Sequence, residues 1–213
     1  MKYLLCDYQQ LTTLDVSKNP ALVELWCHEN NLSSLDVSKN TALIRLLCHK
    51  NNLFSLDVSK NTTLKELDCG FNNLSSLDVS KNTALKILNC GNSKWDGNNN
   101  LSFLDVSKNT ALVELECAYN NLSFLDVSKN TVLEVLSCDA NKLSSLDVSK
   151  NTELRSVGCS GMMDTMSAIA NRSLLESLPN RNGKSEGFIY LWVALVYTED
   201  ISIATSKNWR VHY

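Results

Sequence analysis

Eight cysteines, three histidines and seven regularly placed aspartates are the side chains of this 213-residue chain that invite chemistry. The cysteines stand at 6, 27, 48, 69, 90, 117, 138 and 159, an even number that raises the question of disulfides. Cys27-His28 and Cys48-His49 set a nucleophile beside a base. Asp7, His28 and His49 recur at intervals of 21 residues, as ligands carried on a regular scaffold would. Asp15, Asp36, Asp57, Asp78, Asp105, Asp126 and Asp147 each open a copy of Asp-Val-Ser-Lys-Asn, which raises the idea of a calcium ladder. What these groups can do depends on the elements that position them.

Both series keep one beat of 21 residues, stretched once to 27 between Asp78 and Asp105 and between Cys90 and Cys117. A fixed period of this length marks a solenoid whose coils stack only on their neighbours. A second rhythm lies inside each period. Leu22-x-x-Leu25-x-Cys27-x-x-Asn30-x-Leu32 runs into Leu32-x-x-Leu35-x-Val37-x-x-Asn40-x-x-Leu43, two related half-turns per coil.

The pattern resembles the leucine-rich repeat family, L-x-x-L-x-L-x-x-N/C-x-L, in the nested 21-residue form of internalin-like bacterial surface proteins. It departs from the common form in placing Cys at one consensus Leu position. The resemblance spans residues 1–159. It implies an α/β leucine-rich-repeat solenoid, rich in β structure: a right-handed stack of about seven to eight coils with parallel strands. It further implies a bacterial secreted or cell-surface protein that binds a protein partner on its strand face, without catalysis, metal or cofactor.

Strand alternation then constrains the chemistry. In Leu25-Trp26-Cys27-His28, Leu25 and Cys27 face inward while Trp26 and His28 face outward, so neighbouring Cys and His cannot meet as a dyad. Equivalent Cβ atoms on stacked parallel strands point the same way, which disfavours disulfides and favours thiols acting as small buried hydrophobes. Asp7 and His49 start about 10 Å apart at Cα on strands two spacings apart, so solvated surface residues are expected rather than a metal centre. His212 is isolated. The Asp column lacks the Gly-rich nonapeptide of calcium-binding β-solenoids, and the Lys three positions on is expected to neutralise it across the surface. Two Asn columns, one through Asn30, Asn51 and Asn72 and one through Asn40, Asn61 and Asn82, read as scaffold whose amides satisfy backbone groups at the turns.

A net charge of −3 and a pI near 5.6 give no electrostatic case for nucleic acid or an anionic membrane. No apolar run reaches the ~20 residues that span a bilayer. Leu4 and Cys6 are already in register with Leu25 and Cys27, so the chain begins in mid-repeat, with any targeting segment expected upstream.

Comparing copies separates scaffold from information. Outward residues around Leu-Asp-Val-Ser-Lys-Asn are monotonous, whereas those of the Leu-x-x-Leu-x-Cys strand change from coil to coil. The candidate partner-binding residues are therefore Glu24, Trp26, His28, Arg45, Leu47, His49, Asp68, Phe71, Glu116 and Tyr119. Trp95, within the inserted Gly-Asn-Ser-Lys-Trp-Asp-Gly loop, joins them either as a contact residue or as a lid. Drift on an unconstrained surface, a structural spacer, and a divergent enzyme or metal-binding protein are the competing readings.

After Cys159 the repeat fades. Residues 160–213 read as a C-terminal cap on the 1–159 solenoid: a helix interrupted near Asn171 and closed by Pro179, a strand in Gly187–Tyr197, a short helix, and a last strand from Trp209. The stretches "LLESLPNRNG" and "SIATSKNWRV" resemble the endings of bacterial surface proteins with this repeat. An open solenoid end exposes core side chains and strand edges, which a cap covers.

Overall fold

The computed structural model describes residues 1–93, 99–160, 168–191 and 198–212, with the backbone alone at 168–170 and 198–199. Each repeat contributes one three-residue strand whose central residue points inward. The strands are β1 (Tyr3–Leu5), β2 (Glu24–Trp26), β3 (Arg45–Leu47), β4 (Glu66–Asp68), β5 (Ile87–Asn89), β6 (Glu114–Glu116), β7 (Val135–Ser137) and β8 (Ser156–Gly158). The chain then adds α1 (Ala168–Ser177), β9 (Gly187–Tyr190), α2 (Thr198–Ser206) and β10 (Trp209–His212). The ten strands of the described residues form one sheet in sequence order, every neighbouring pair parallel. The register matches residues one repeat apart: Leu25 faces Leu46, and Leu46 faces Leu67.

The core is a ladder. Leu22, Leu25, Cys27, Leu32, Val37 and their equivalents in later coils are fully buried. One coil cannot enclose its own leucines; stacking encloses them, at about 1.5–3 kcal/mol per buried side chain. The cysteines are free thiols, seven buried and Cys6 half-buried at the open coil. Burial pushes their thiols up, that of Cys90 to about 12, so none is a thiolate near neutral pH.

The Asn columns close the turns. Asn51 donates from Nδ2 to Cys27 O and Cys48 O, and accepts from Leu32 N, tying two coils together. Asn61 donates to Val37 O and Asn40 O across the opposite turn. The residue before the first-column Asn is left-handed in five described coils although none is glycine: Glu29, Lys50, Phe71, Tyr119 and Ala140 have φ of 50–55°, and Tyr8, at 56°, holds the equivalent place before Gln9. Glu29 N–H still donates to His49 O in the next coil, and the Asn amides hold the turn against its steric cost.

The tail continues the sheet: Ser156 pairs with Phe188, and Gly187 with Trp209. Helix α1 runs through Asn171, which is buried rather than a break. The expected strand after Gly187 runs to Tyr190 and has ended at Leu191, and the rest of its expected span, 192–197, lies outside the described residues. Buried Arg181 stitches the tail on, donating to Leu154 O and Ser185 O.

Candidate protein-binding face

The sheet's outer surface is built from three columns. The first residue of each strand from β2 to β7 gives Glu24, Arg45, Glu66, Ile87, Glu114 and Val135. The third gives Leu5, Trp26, Leu47, Asp68, Asn89, Glu116 and Ser137. Two positions on come Asp7, His28, His49, Gly70, Gly91, Ala118 and Asp139. Strand geometry places all three columns on one face.

Neighbouring coils interlock there. Arg45 Nη2 sits 2.7 Å from Glu66 Oε2 and Nη1 4.0 Å from Glu24 Oε2, with the guanidinium 5.9 Å from the Trp26 ring centre. His28 and His49 stack with centroids 4.5 Å apart. Asp68 Oδ2 lies 3.0 Å from His49 Nδ1, and Asp7 Oδ2 lies 3.9 Å from His28 Nε2. Tyr8 meets His28 edge-on at 5.5 Å. The two imidazoles were expected to be solvated, yet their side chains are only 12% and 21% exposed. Burial first, then the His49 charge, pushes the His28 pKa down. The four-residue column Asp7–His28–His49–Asp68 is thus a packed stack, and its near-parallel rings do not converge on one ion. Among the described residues no group of three His, Cys, Asp or Glu is placed to hold a metal.

A second row lies on the left-handed turns. Tyr8 OH donates to Glu29 Oε1 at 3.2 Å, and Lys50 Nζ donates to the same oxygen at 2.9 Å. Lys50 Nζ also stands 6.0 Å from the Phe71 ring centre. Tyr119 holds the same turn position in the coil of β6, partly exposed.

Of the sequence candidates, Glu24, Trp26, His28, Arg45, Leu47, His49, Asp68 and Phe71 come together on the coils of β2–β4. Glu116 and Tyr119 lie further along the same face, on the coil of β6. Trp95 falls outside the described residues. Trp26 and Leu47 are half-buried rather than free, and Trp26 Nε1 is enclosed without a hydrogen-bond partner among the described residues. Tyr8 and Glu29 complete the patch; their signal in sequence was the turn column one residue beyond the histidines.

The opposite side is less uniform than its sequence repetition implied. Each Asp of the repeat turns its Oδ1 to the backbone N–H of the Ser two residues on, as Asp57 does to Ser59 at 2.8 Å. Those hydrogen bonds hold the Asp57 carboxyl below its usual range. No ion pair joins these Asp to their Lys among the described residues, so the expected neutralisation is not made by direct contact. Phe54, Phe103 and Phe124, where other coils carry Ser, are about 60–66% exposed. The signal was present as Ser-to-Phe changes between the two Leu of that half-turn.

This architecture is a leucine-rich-repeat solenoid. Among the solved structures it is similar to are internalins and a leucine-rich effector, all of bacterial origin. The functional domain of InlJ from Listeria monocytogenes, described as including a cysteine ladder, superposes with a TM-score of 0.69 at 29% identity. That match covers 100% of this chain and 48% of InlJ's, so the chain spans about half that domain's length. Internalin C2 from the same species matches with a TM-score of 0.70 at 13% identity, over 92% of this chain and 84% of its own. The leucine-rich effector YopM from Yersinia pestis gives 0.64 at 21%, over 89% and 56%. These last two likenesses carry the fold alone. No protein-family model and no curated protein sequence matches the chain.

Proposed function

We propose that this chain is a non-enzymatic protein-binding module of a bacterial secreted or cell-surface protein, engaging its partner through the face of strands β2–β7. The observation that carries this reading is the division of labour between the half-turns. Seven copies of Asp-Val-Ser-Lys-Asn repeat the corner hydrogen bond almost unchanged. The strand face instead assembles a different set of side chains on every coil, with a contiguous aromatic and apolar patch around Trp26 and Leu47 rimmed by Glu24, Arg45 and Lys50. An apolar centre with a charged rim is the composition of an interface. The secreted or surface location follows the internalin resemblance.

The test is an activity-blind screen of the immobilised chain against bacterial and host surface proteins. Any partner should bind the Trp26→Ser/Leu47→Ser variant more weakly by about 2 kcal/mol, roughly 30-fold. Because Trp26 is half-buried, a modest stability loss of about 1–2 kcal/mol accompanies that change. Binding that survives the double substitution in a folded variant contradicts the proposal.

A further inference from the structure

We infer that the middle of the strand face receives a basic, extended segment of the partner, in which an apolar or aromatic anchor lies about four to six residues from a pair of lysines or arginines. The inference rests on the strand face being the binding face and adds the chemistry of what lies there.

Charge carries it. In the three outward columns the carboxylates are Asp7, Glu24, Glu66, Asp68, Glu114, Glu116 and Asp139, and the one cation is Arg45. Arg45 is already taken by Glu66 and Glu24. The whole chain is only −3, and the scaffold half-turn carries seven Asp against seven Lys, so the negative field is concentrated on the strand face. Lys65 and Lys86 stand one position before β4 and β5, exposed at the rim rather than in ion pairs with described carboxylates. Glu114 and Glu116 share the outer face of β6 with no cation in ion-pairing range among the described residues. Burial first, then Glu114, then Asp68 hold the Glu116 carboxyl above its usual range. A cation placed between them relieves a repulsion that the free protein carries. Tyr119 occupies the turn position on the coil of β6, beside this acidic stretch, with an aromatic face suited to a cation; Phe71 holds the same position on the coil of β4, where Lys50 already stands over its ring.

Spacing supplies the rest. Strands stack about 4.8 Å apart, so Leu47 on β3 lies roughly 14 Å from Glu116 on β6, and Trp26 on β2 roughly 19 Å. An extended chain rising about 3.3 Å per residue crosses those spans in four to six residues. The column thus reads from apolar to acidic, and a segment laid along it must change from apolar to basic.

The experiment pans a phage-displayed library of random dodecamers on the intact chain at about 150 mM salt. Selected peptides are synthesised and titrated calorimetrically against the parent, the E114Q/E116Q variant and a D105N/D126N control. The Gln changes keep shape and remove like charges, so that variant should melt at or above the parent, and the Asn changes keep the acceptor for Ser107 and Ser128 N–H, so the control should melt close to it. The expected peptides carry Lys or Arg four to six positions from an aromatic or aliphatic residue. They should bind E114Q/E116Q about tenfold more weakly or worse, and the control within about twofold. Acidic or uncharged selections, no enrichment at all, or equal losses in the two variants overturn the inference. Peptides sensitive to Trp26→Ser/Leu47→Ser but indifferent to E114Q/E116Q leave the proposed binding face standing and remove the basic segment. Peptides indifferent to both remove both.

Discussion

Alanine at Asn72 and alanine at Asn82 should destabilise the solenoid by clearly different amounts, although both side chains belong to buried ladders and close half-turns of the same L-x-x-L-x-(C/V)-x-x-N pattern. Asn72 uses its whole amide: Nδ2 donates to Cys48 O at 3.0 Å, Cys69 O at 3.1 Å and Gly70 O at 3.2 Å, while Oδ1 accepts from Leu53 N at 3.0 Å. Asn82 donates to Val58 O and Asn61 O, both at 2.9 Å, but its Oδ1 is buried with no partner among the described residues. Truncating Asn72 strands a buried N–H and up to three carbonyls; an unmade buried hydrogen bond costs about 1–3 kcal/mol, and relaxation recovers part of it. A loss of about 4 kcal/mol is the reasonable centre for Asn72→Ala. Asn82→Ala forfeits two bonds but also removes an orphaned acceptor, so about 2 kcal/mol is expected. Guanidinium unfolding followed by circular dichroism, with a nearest-neighbour repeat analysis, measures both. Equal losses, or a greater loss at Asn82, would refute the assignment of the first column as the stronger tie between coils.

Three further outcomes follow from the same geometry. Under native conditions seven thiols should resist Ellman's reagent while half-buried Cys6 reacts first, and all eight should react on unfolding; four intact disulfides in mass spectrometry would end the buried-ladder account. Stability should decline as pH falls below about 6.5, because the folded His28 has the lower pKa and the unfolded chain binds the proton more readily. Above that pH both states hold it neutral, and the lowered Asp carboxyls act only below about pH 4, so His28→Asn should flatten the slope between pH 7 and 5; an unchanged slope would contradict the burial of His28 against His49. We propose that residues 160–213 act as a cap: deleting them removes β9 and β10, uncovers Leu154, Val157 and the β8 edge, and should make the 1–159 fragment self-associate, whereas a monomeric, cooperatively folding fragment would show another role.

The solenoid was legible because it is periodic. Leu25, Cys27, Leu32 and Val37 recur with spacing that only stacked coils can bury, and Asn at the turns has a clear chemical task. What sequence spacing could not supply was the depth of outward residues. Trp26 and His28 alternate outward as expected, yet stacking places Arg45 and His49 against them and half-buries both, a consequence of side chains one repeat away. The left-handed turns carry Glu29, Lys50 and Phe71 where glycine would be the usual signal, so their geometry was invisible in composition. In the tail, Asn171 reads as a helix breaker by propensity, but it is buried within α1, and its packing overrides that preference. Phe54, Phe103 and Phe124 were legible and under-weighted, since the surrounding repeat looked uniform.

The most direct test of the central claim is where a partner leaves its footprint. Hydrogen–deuterium exchange of the intact chain, with and without a partner or selected peptide, compares the strand face with the Asp-Val-Ser-Lys-Asn side. The account predicts protection at the turn amides of Glu29, Lys50, Phe71 and Tyr119 and at the strands they follow. It is contradicted if protection falls instead on the corners beside Phe103 and Phe124, leaving the strand face exchanging as in the free protein.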